Sequence, residues 1–270
     1  MNAAIRAVTR KAIHEGYNVY GIESGYAGLI NEEFKQLKRR DVGNIITTGG
    51  TILKTARLPE FQNEVIQRKA YEILKAHDIH HLVVLGGDGS MAGAQALARM
   101  GMSTMTIPCT IDNDMAGTEY TIGFDTAVNT VVQAVAKILD TSSAHERVAV
   151  VEVMGRHAGH IALTSGLACG AEVVLVPEHP TPLTDVCKRL METHKHGKTY
   201  STIIVAEGAY NGYEVAEYVK SHTYLDTSIT TLGYIQRGGA PTATDAVWAA
   251  LMIESAIDNL KQGVDNCVIG

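Results

Sequence analysis

The chain has 270 residues, of which 46% are hydrophobic, and it carries a formal net charge of −6 at pH 7. A chain of this length can enclose one large hydrophobic core or two adjoining cores. The acidic balance and the scattered lysines and arginines argue against nucleic-acid binding. No apolar run approaches membrane-spanning length, and we expect no signal peptide from the opening residues. Four cysteines without a Cys-x-x-Cys spacing favour free thiols in a reducing cytoplasm.

Predicted strands and helices alternate along the chain, which is typical of an α/β fold with a parallel sheet in a three-layer αβα sandwich. The predicted helices cover residues 2–15, 31–40, 60–76, 91–100, 126–139, 159–169, 184–194 and 213–222. The predicted strands cover residues 18–22, 81–85, 102–107, 147–153, 172–177, 202–206 and 229–234, and a last strand begins near residue 267. The helix over 31–40 is short and ends in a basic run.

A glycine-rich turn follows the apolar strand over 81–85. Its sequence is Gly86-Gly87-Asp88-Gly89-Ser90, and a helical pattern comes directly after it. Strand, glycine turn and helix is the arrangement that aims backbone N–H groups at a phosphate. Asp88 would repel a phosphate directly, so we interpret it as a ligand for a divalent cation that bridges to phosphates. A tight connection that uses glycine without any ligand is the alternative.

A second polar turn, Thr110-Ile111-Asp112-Asn113-Asp114, follows the next apolar strand. If this run is extended, the carboxylates of Asp112 and Asp114 point to the same side. Such a like-charged pair is unfavourable unless a metal, a cationic side chain or a shared proton compensates. An Asx-rich turn whose side chains bond their own backbone is the alternative. Two such turns on successive strands favour phosphate chemistry.

Two arginines flank the predicted strand over 147–153. Arg156 follows its carboxyl end, the edge where parallel sheets bind ligands, and is therefore a candidate phosphate ligand. Arg147 lies at the other end and should face elsewhere. The histidines at 77, 80 and 81 and at 157 and 160 lack a further ligand of fitting spacing, so we do not assign a metal site to them.

Six segments resemble those of the phosphofructokinase family, in that family's order and spacing. They are MNAAIR (1–6), TARLPEF (55–61), GGDGS (86–90), TIDND (110–114), VVEVMGR (150–156) and LGYIQRGG (232–239). The resemblance implies two similar Rossmann-like domains: a phosphoryl-donor domain over 1–124, which lacks its first strand, and a sugar-phosphate domain over 125–250. A helix and a truncated strand over 251–270 would return toward the first domain. It implies a cytoplasmic glycolytic kinase that uses Mg²⁺ and ATP to phosphorylate the 1-hydroxyl of fructose 6-phosphate.

The resemblance also implies roles for single residues, with Asp112 as the general base for the sugar hydroxyl. The catalytic set is Asp112, Thr110, Asp114, Arg57 and Arg156. The donor-binding set is Arg57, Leu58, Gly87, Asp88, Gly89 and Ser90, with Asp88 as the metal ligand. The sugar-phosphate set is Thr110, Asp112, Arg147, Met154, Gly155, Arg156, Glu207, Tyr234 and Arg237. An allosteric set for ADP or phosphoenolpyruvate is Arg6, Arg10, Arg39, Glu172 and Lys198.

In the resembled family, the equivalent of Arg147 acts on a neighbouring subunit's sugar phosphate, which implies a homo-oligomer, most simply a tetramer. The effector pattern is incomplete, because Leu139 and His196 stand where basic residues are common. Ser228 replaces a second phosphate-binding arginine of many relatives, and Tyr234 replaces a histidine. We therefore expect a raised KM for the sugar phosphate.

The phosphoryl donor is predicted from two positions. ATP users of the family favour glycine at the positions of Gly89 and Cys109, whereas pyrophosphate users favour aspartate and lysine. Cys109 fits neither pattern but is small and neutral, so we expect ATP, with pyrophosphate as the alternative. A non-catalytic or regulatory pseudoenzyme of the same fold is a further alternative.

In the resembled family a strand and a Gly-Gly-Asp-x-x-Gly loop precede the segment that matches residues 1–6. Residues 267–270 likewise look like the start of a strand. A lost central strand leaves two neighbours with unpaired backbone groups. We therefore expect the polypeptide of 1–270 to be poorly stable and weakly active.

Overall fold

A computed structural model describes all residues, 1–270, and it shows an α/β chain made of two compact units. The helices are α1 (Asn2–His14), α2 (Gly25–Ile30), α3 (Glu64–Ala76), α4 (Asp88–Arg99), α5 (Phe124–Ala144), α6 (His160–Cys169), α7 (Leu183–Lys195), α8 (Gly212–His222) and α9 (Ala243–Lys261). The strands are β1 (Val19–Ile22), β2 (Phe34–Leu37), β3 (His81–Gly86), β4 (Ser103–Pro108), β5 (Val148–Val153), β6 (Val173–Leu175), β7 (Ser201–Ala206), β8 (Thr227–Thr231) and β9 (Cys267–Val268). Two short 3₁₀ helices cover Pro59–Gln62 and Gly233–Arg237.

The first unit comprises residues 1–110, 115–123 and 240–270. Its parallel sheet has the order β3-β4-β9, and β1 and β2 form a separate antiparallel pair. Its central strand, β4, is almost fully buried, and Met105 and Ile107 on it pack with Ile253 and Ile257 of α9. β1 pairs only with β2 and β3 pairs only with β4, so each has one edge without a strand partner.

The second unit comprises residues 111–114 and 124–239, and its sheet is wholly parallel with the order β6-β7-β5-β8. The alternation of side chains along a strand divides β5 between two cores. Val148 and Val150 pack in the core that includes residues of α7 and α8, whereas Val151 and Val153 pack in the core that includes residues of α5 and α6. Helices therefore cover both faces of this sheet, and the predicted fold class is confirmed.

One predicted element is wrong: residues 31–40 do not form a helix. Residues 34–37 form β2, which pairs with β1 from Val19↔Leu37 to Ile22↔Phe34. Leu37 is buried and packs with Ile5 and Val42, while Phe34 packs against a second cluster. Apolar residues spaced by three fit a helix in isolation, but pairing with β1 and these two cores override that preference. No helix in either unit combines the length and apolar composition needed to cross a bilayer.

Candidate active site

The glycine turn of the first unit lies at the carboxyl edge of its sheet. β3 and β4 pair along their full length, from His81↔Ser103 to Gly86↔Pro108, so the segments that follow both strands emerge at the same edge. Gly87 is the residue before α4, and Asp88 is the first residue of that helix rather than part of the turn. The first turn of α4 therefore begins at Asp88, and the free backbone N–H groups of a helix lie in its first turn, where phosphates bind in other proteins. A Cβ added at Gly87 would lie 3.6 Å from the Thr110 side chain, so Thr110 lies beside this turn.

Tyr26 supports the turn and was not predicted as a site residue. Its hydroxyl donates a hydrogen bond to the carbonyl of Ser90 at 2.6 Å, and its ring stacks on Phe61 with centroids 4.0 Å apart. Burial raises the pKa of this hydroxyl, so it remains a donor. Tyr26 and Ser90 are 64 residues apart, and no local pattern links them.

The Asp112 segment of the second unit differs from the expected extended run. Asn113 takes a left-handed φ of 52°, which breaks the alternation that would place the two carboxylates on one side. Asp112 is 6% exposed, whereas Asp114 is exposed. The two carboxylates are therefore in different environments, and the predicted same-side pair is wrong in that respect.

Asp112 forms an ion pair with Arg156, whose Nε lies 3.4 Å from Asp112 Oδ2. The arginine side chain is 61% exposed while the carboxylate side chain is only 8% exposed. A buried carboxylate is costly unless a cation or hydrogen-bond donors compensate, and Arg156 supplies such a cation. The contact uses Nε, so the exposed terminal nitrogens of the guanidinium can donate to phosphate oxygens.

The loop that carries Arg156 is tightly built. Gly155 has φ 139° and Arg156 has φ 52°, so two successive residues lie in the left-handed half of backbone space. Glu207 at the end of β7 accepts hydrogen bonds from both of their N–H groups, at 3.1 and 2.8 Å. A Cβ added at Gly208 would lie 2.1 Å from the Arg156 carbonyl oxygen, so only glycine fits there. The predicted contact of Glu207 with a sugar hydroxyl stays a prediction.

Arg237 and Tyr234 lie in the 3₁₀ helix Gly233–Arg237, since the strand predicted to reach 234 ends at Thr231. The Arg237 guanidinium carbon is 5.0 Å from the centroid of the Tyr234 ring, which is a cation–π distance. Tyr234 is 78% exposed. Gln236 between them is 1% exposed and was not predicted as a site residue.

Arg147 and Ser228 lie at the opposite edge of this sheet. Ser228 on β8 is level with Ala149 on β5, two residues from Arg147. Six residues of β5 separate Arg147 from the Arg156 loop, a strand length of about 20 Å. Arg147 Nε contacts Asp226 Oδ2 at 2.7 Å. One copy of the chain therefore does not bring Arg147 together with Arg156.

The predicted effector residues fall into separate groups. Arg6 and Arg10 are one turn apart on α1, and Arg39 is exposed beyond β2. Glu172 is paired with Lys198 and also accepts a hydrogen bond from the N–H of Thr202. The effector role of Arg6, Arg10, Arg39, Glu172 and Lys198 stays a prediction.

Arg57 and Leu58 of the predicted donor set directly precede the 3₁₀ helix Pro59–Gln62. Their role at the donor stays a prediction.

Cys109 contacts the glycine turn through its backbone, since its N–H donates to the carbonyl of Gly86 at 2.9 Å. Burial raises the pKa of its thiol to about 12, the nearby Asp245 carboxylate adds to the rise, and the amino terminus opposes it. The thiol is therefore neutral at physiological pH.

We expect iodoacetamide to modify Cys109 far more slowly than Cys267 in the folded protein near neutral pH. The thiolate is the reactive species, and a raised pKa makes it scarce at Cys109. Mass-spectrometric peptide mapping over time would compare the two sites, with the denatured protein as the control in which both react alike. Equal modification rates in the folded protein would contradict a raised pKa for the Cys109 thiol.

A magnesium site was predicted at Asp88. No group of three or more His, Cys, Asp or Glu side chains is arranged to hold a metal ion. Mg²⁺ is often bound by only one or two carboxylates, with waters and substrate phosphates completing its octahedron. A single carboxylate at a helix start has the oxygen chemistry that such a partial site requires.

A glycine turn lies between β3 and α4, and the buried Asp112 carboxylate pairs with Arg156, which follows β5. These features define the class of α/β enzymes that handle phosphate groups. The sequence model of phosphofructokinase matches residues 1–260. The chain belongs to the phosphofructokinase family.

Individual relatives agree with this assignment. The ATP-dependent 6-phosphofructokinase 1 of Clostridium perfringens is 52% identical over 270 residues, which cover the whole chain and 85% of that protein. The ATP-dependent 6-phosphofructokinase of Clostridium botulinum strain Alaska E43 is 49% identical over 271 residues, with the same coverage. Among solved structures, phosphofructokinase from Saccharomyces cerevisiae matches with a TM-score of 0.93 and 34% identity, covering 100% of this chain and 41% of the yeast chain.

Proposed function

We propose that this chain transfers the terminal phosphoryl group of ATP to the 1-hydroxyl of fructose 6-phosphate. The observation that carries the proposal is the buried Asp112 carboxylate paired with Arg156, within a chain of the phosphofructokinase family. The relatives at 52% and 49% identity are ATP-dependent 6-phosphofructokinases, which supports the same donor and acceptor here. The cytoplasm is the proposed location, and the four unpaired cysteines suit it.

Asp112 acts as the general base. As the sugar oxygen attacks the terminal phosphorus of ATP, the carboxylate accepts the hydroxyl proton. The new bond joins that oxygen to phosphorus, the bond from phosphorus to the bridging oxygen breaks, and ADP leaves. Arg156 orients the carboxylate through Nε and neutralises charge on the moving group through its terminal nitrogens.

The first unit supplies groups for the donor. Backbone N–H groups at the start of α4 suit phosphate oxygens, and Thr110 lies beside that turn. Asp88 would hold Mg²⁺, which when bound neutralises phosphate charge. Arg57 adds a further positive charge, as the family resemblance implies.

ATP is the proposed donor rather than pyrophosphate. A Cβ added at Gly89 would meet no atom within 4 Å, so this position leaves open space. The neutral thiol of Cys109 adds no charge where pyrophosphate users of the family favour lysine. Both features suit a donor that carries a bulky nucleoside.

A homo-oligomer, most simply a tetramer, is part of the proposal. Arg147 lies at the sheet edge opposite Arg156, so its sugar phosphate would belong to a second copy of the chain. Binding of that phosphate would compete with the exposed pair between Arg147 and Asp226, and such pairs contribute little. Control by ADP or phosphoenolpyruvate through the predicted effector residues is likewise proposed.

A coupled assay of the purified chain with fructose 6-phosphate tests the function. We expect turnover with ATP and none with pyrophosphate. Turnover with pyrophosphate alone would replace the donor assignment. A folded protein, as judged by circular dichroism, that turns over neither donor would indicate a non-catalytic member of the family.

Ser228→Arg is expected to lower the KM for fructose 6-phosphate by about tenfold or more, because a charge-assisted contact contributes roughly 1.5–3 kcal/mol. Ser228 is level with Ala149 beside Arg147, so a new arginine there would join the same phosphate contact. Steady-state kinetics at saturating ATP provide the measurement. Ser228→Gln, which is long but neutral, is the matched control, and an unchanged KM in the arginine variant would remove the idea.

A further inference from the structure

Gln236 connects the loop that contains Met154 and Arg156 to its own 3₁₀ helix, Gly233–Arg237, through its side-chain amide. Its Oε1 accepts a hydrogen bond from the N–H of Met154 at 3.1 Å. Its Nε2 donates to the carbonyl of Gly233 at 3.0 Å, within its own 3₁₀ helix. The side chain is 1% exposed, so both bonds form in an environment where water cannot replace them. Met154 and Gln236 are 82 residues apart in sequence.

This loop and this 3₁₀ helix each carry an arginine of the proposed sugar-phosphate site. Met154 begins the loop that ends in Arg156, and Gln236 directly precedes Arg237. The Arg156 loop holds two successive residues at positive φ, a conformation that persists only when surrounding contacts enforce it. Glu207 supplies two of those contacts from one side, and Gln236 supplies a third to the preceding residue.

We propose that Gln236 is a positioning residue that fixes the Arg156 loop relative to Arg237, so that both guanidinium groups are oriented toward the same fructose 6-phosphate molecule. This inference rests on the proposed function for the identity of the ligand. Gln236 touches no substrate and acts through the backbone of Met154 and Gly233. It is distinct from Glu207, which restrains only the Arg156 loop.

Gln236→Met tests the proposal, because methionine keeps the shape of the side chain and removes both hydrogen bonds. The KM for fructose 6-phosphate is expected to rise about tenfold or more, since small misplacements of binding groups have large kinetic effects. The KM for ATP should stay within about twofold, because loss of contacts to one substrate leaves uniform binding of the other unchanged. Equal rises in both KM values, or no rise in either, would overturn the positioning role.

Gln67→Met is the matched control. Gln67 also donates its side-chain amide to a backbone carbonyl, that of Phe61 at 2.8 Å, but it lies in the first unit on α3. This variant should leave the KM for fructose 6-phosphate unchanged. A rise equal to that of Gln236→Met would show that loss of any such bond is sufficient, and would overturn the specific role.

Amide hydrogen exchange measured by NMR tests the same proposal without substrate. Gln236→Met should accelerate exchange at Met154 and also at Gly155 and Arg156, whose N–H groups Gln236 does not contact. Faster exchange at Met154 alone would reduce Gln236 to a local contact and overturn the proposal. If the unmodified chain neither binds nor phosphorylates fructose 6-phosphate, the proposed function fails, and the exchange result still decides whether Gln236 fixes the loop.

Discussion

Asp112→Asn is expected to lower kcat by about 10³-fold, the middle of the range for a positioned general base. The amide cannot accept the proton of the sugar hydroxyl, yet it has the same shape as the carboxylate. Because Asp112 is 6% exposed and its Oδ2 lies 3.4 Å from Arg156 Nε, the asparagine oxygen can still meet the guanidinium. The loss should therefore fall on the chemical step rather than on folding.

The measurement is steady-state kinetics at saturating ATP and fructose 6-phosphate, together with a thermal unfolding midpoint. Asp185→Asn is the matched control, since this exposed aspartate pairs only with Lys188 one turn away on α7. That variant should keep the kcat of the unmodified chain. The expected loss would leave about a thousandth of the kcat of the unmodified chain. If Asp112→Asn retained a tenth or more of that kcat, Asp112 would not be the base.

Arg156→Ala is expected to lower kcat/KM for fructose 6-phosphate by about 10²- to 10³-fold, or roughly 3–4 kcal/mol of transition-state stabilisation. Two losses combine in this variant. The terminal nitrogens no longer meet the moving phosphoryl group, and the buried carboxylate of Asp112 loses its cation. Arg156→Lys should recover only a small part, because an ammonium group cannot contact Asp112 and a phosphate in the same planar arrangement.

Kinetics with fructose 6-phosphate varied at saturating ATP would measure the effect, because kcat/KM reports transition-state stabilisation relative to free substrate. Arg189→Ala on α7 is the control for removal of an exposed arginine from the same unit. If kcat/KM for fructose 6-phosphate in Arg156→Ala fell by less than about threefold, the decrease would be far smaller than expected for such a group. That result would contradict the assigned role of Arg156.

The sequence predicted well wherever a signal is local or runs along one element. Residues 81–85 and 147–153 contain the apolar runs 82–85 and 148–151, and both segments form strands of parallel sheets as predicted. The glycine turn and Arg156 could be placed at strand ends for the same reason. The direction and length of β5 place Arg147 before its first residue and Arg156 after its last, and therefore at opposite edges of the sheet.

Two local expectations were overruled by tertiary contacts. The charged stretch over 31–40 has helical spacing, but pairing with β1 and burial of Leu37 make its centre a strand. The Asp112 and Asp114 carboxylates would share a side only in an extended chain, and the left-handed φ of Asn113 separates their environments. Propensity is a weak prior, and such contacts readily exceed it.

The sequence alone determined the α/β class, the position of every strand except β2 along the chain, the family and the residue types available for phosphate chemistry. Only the tertiary structure decided that Arg156 pairs with Asp112, that Glu207 restrains the Arg156 loop and that Gln236 joins this loop to Arg237's helix. The partners in the last two contacts are 51 or more residues apart. Hydrogen bonds over such separations depend on how buried strands pack together. The periodicity of side chains within a single segment does not predict that packing.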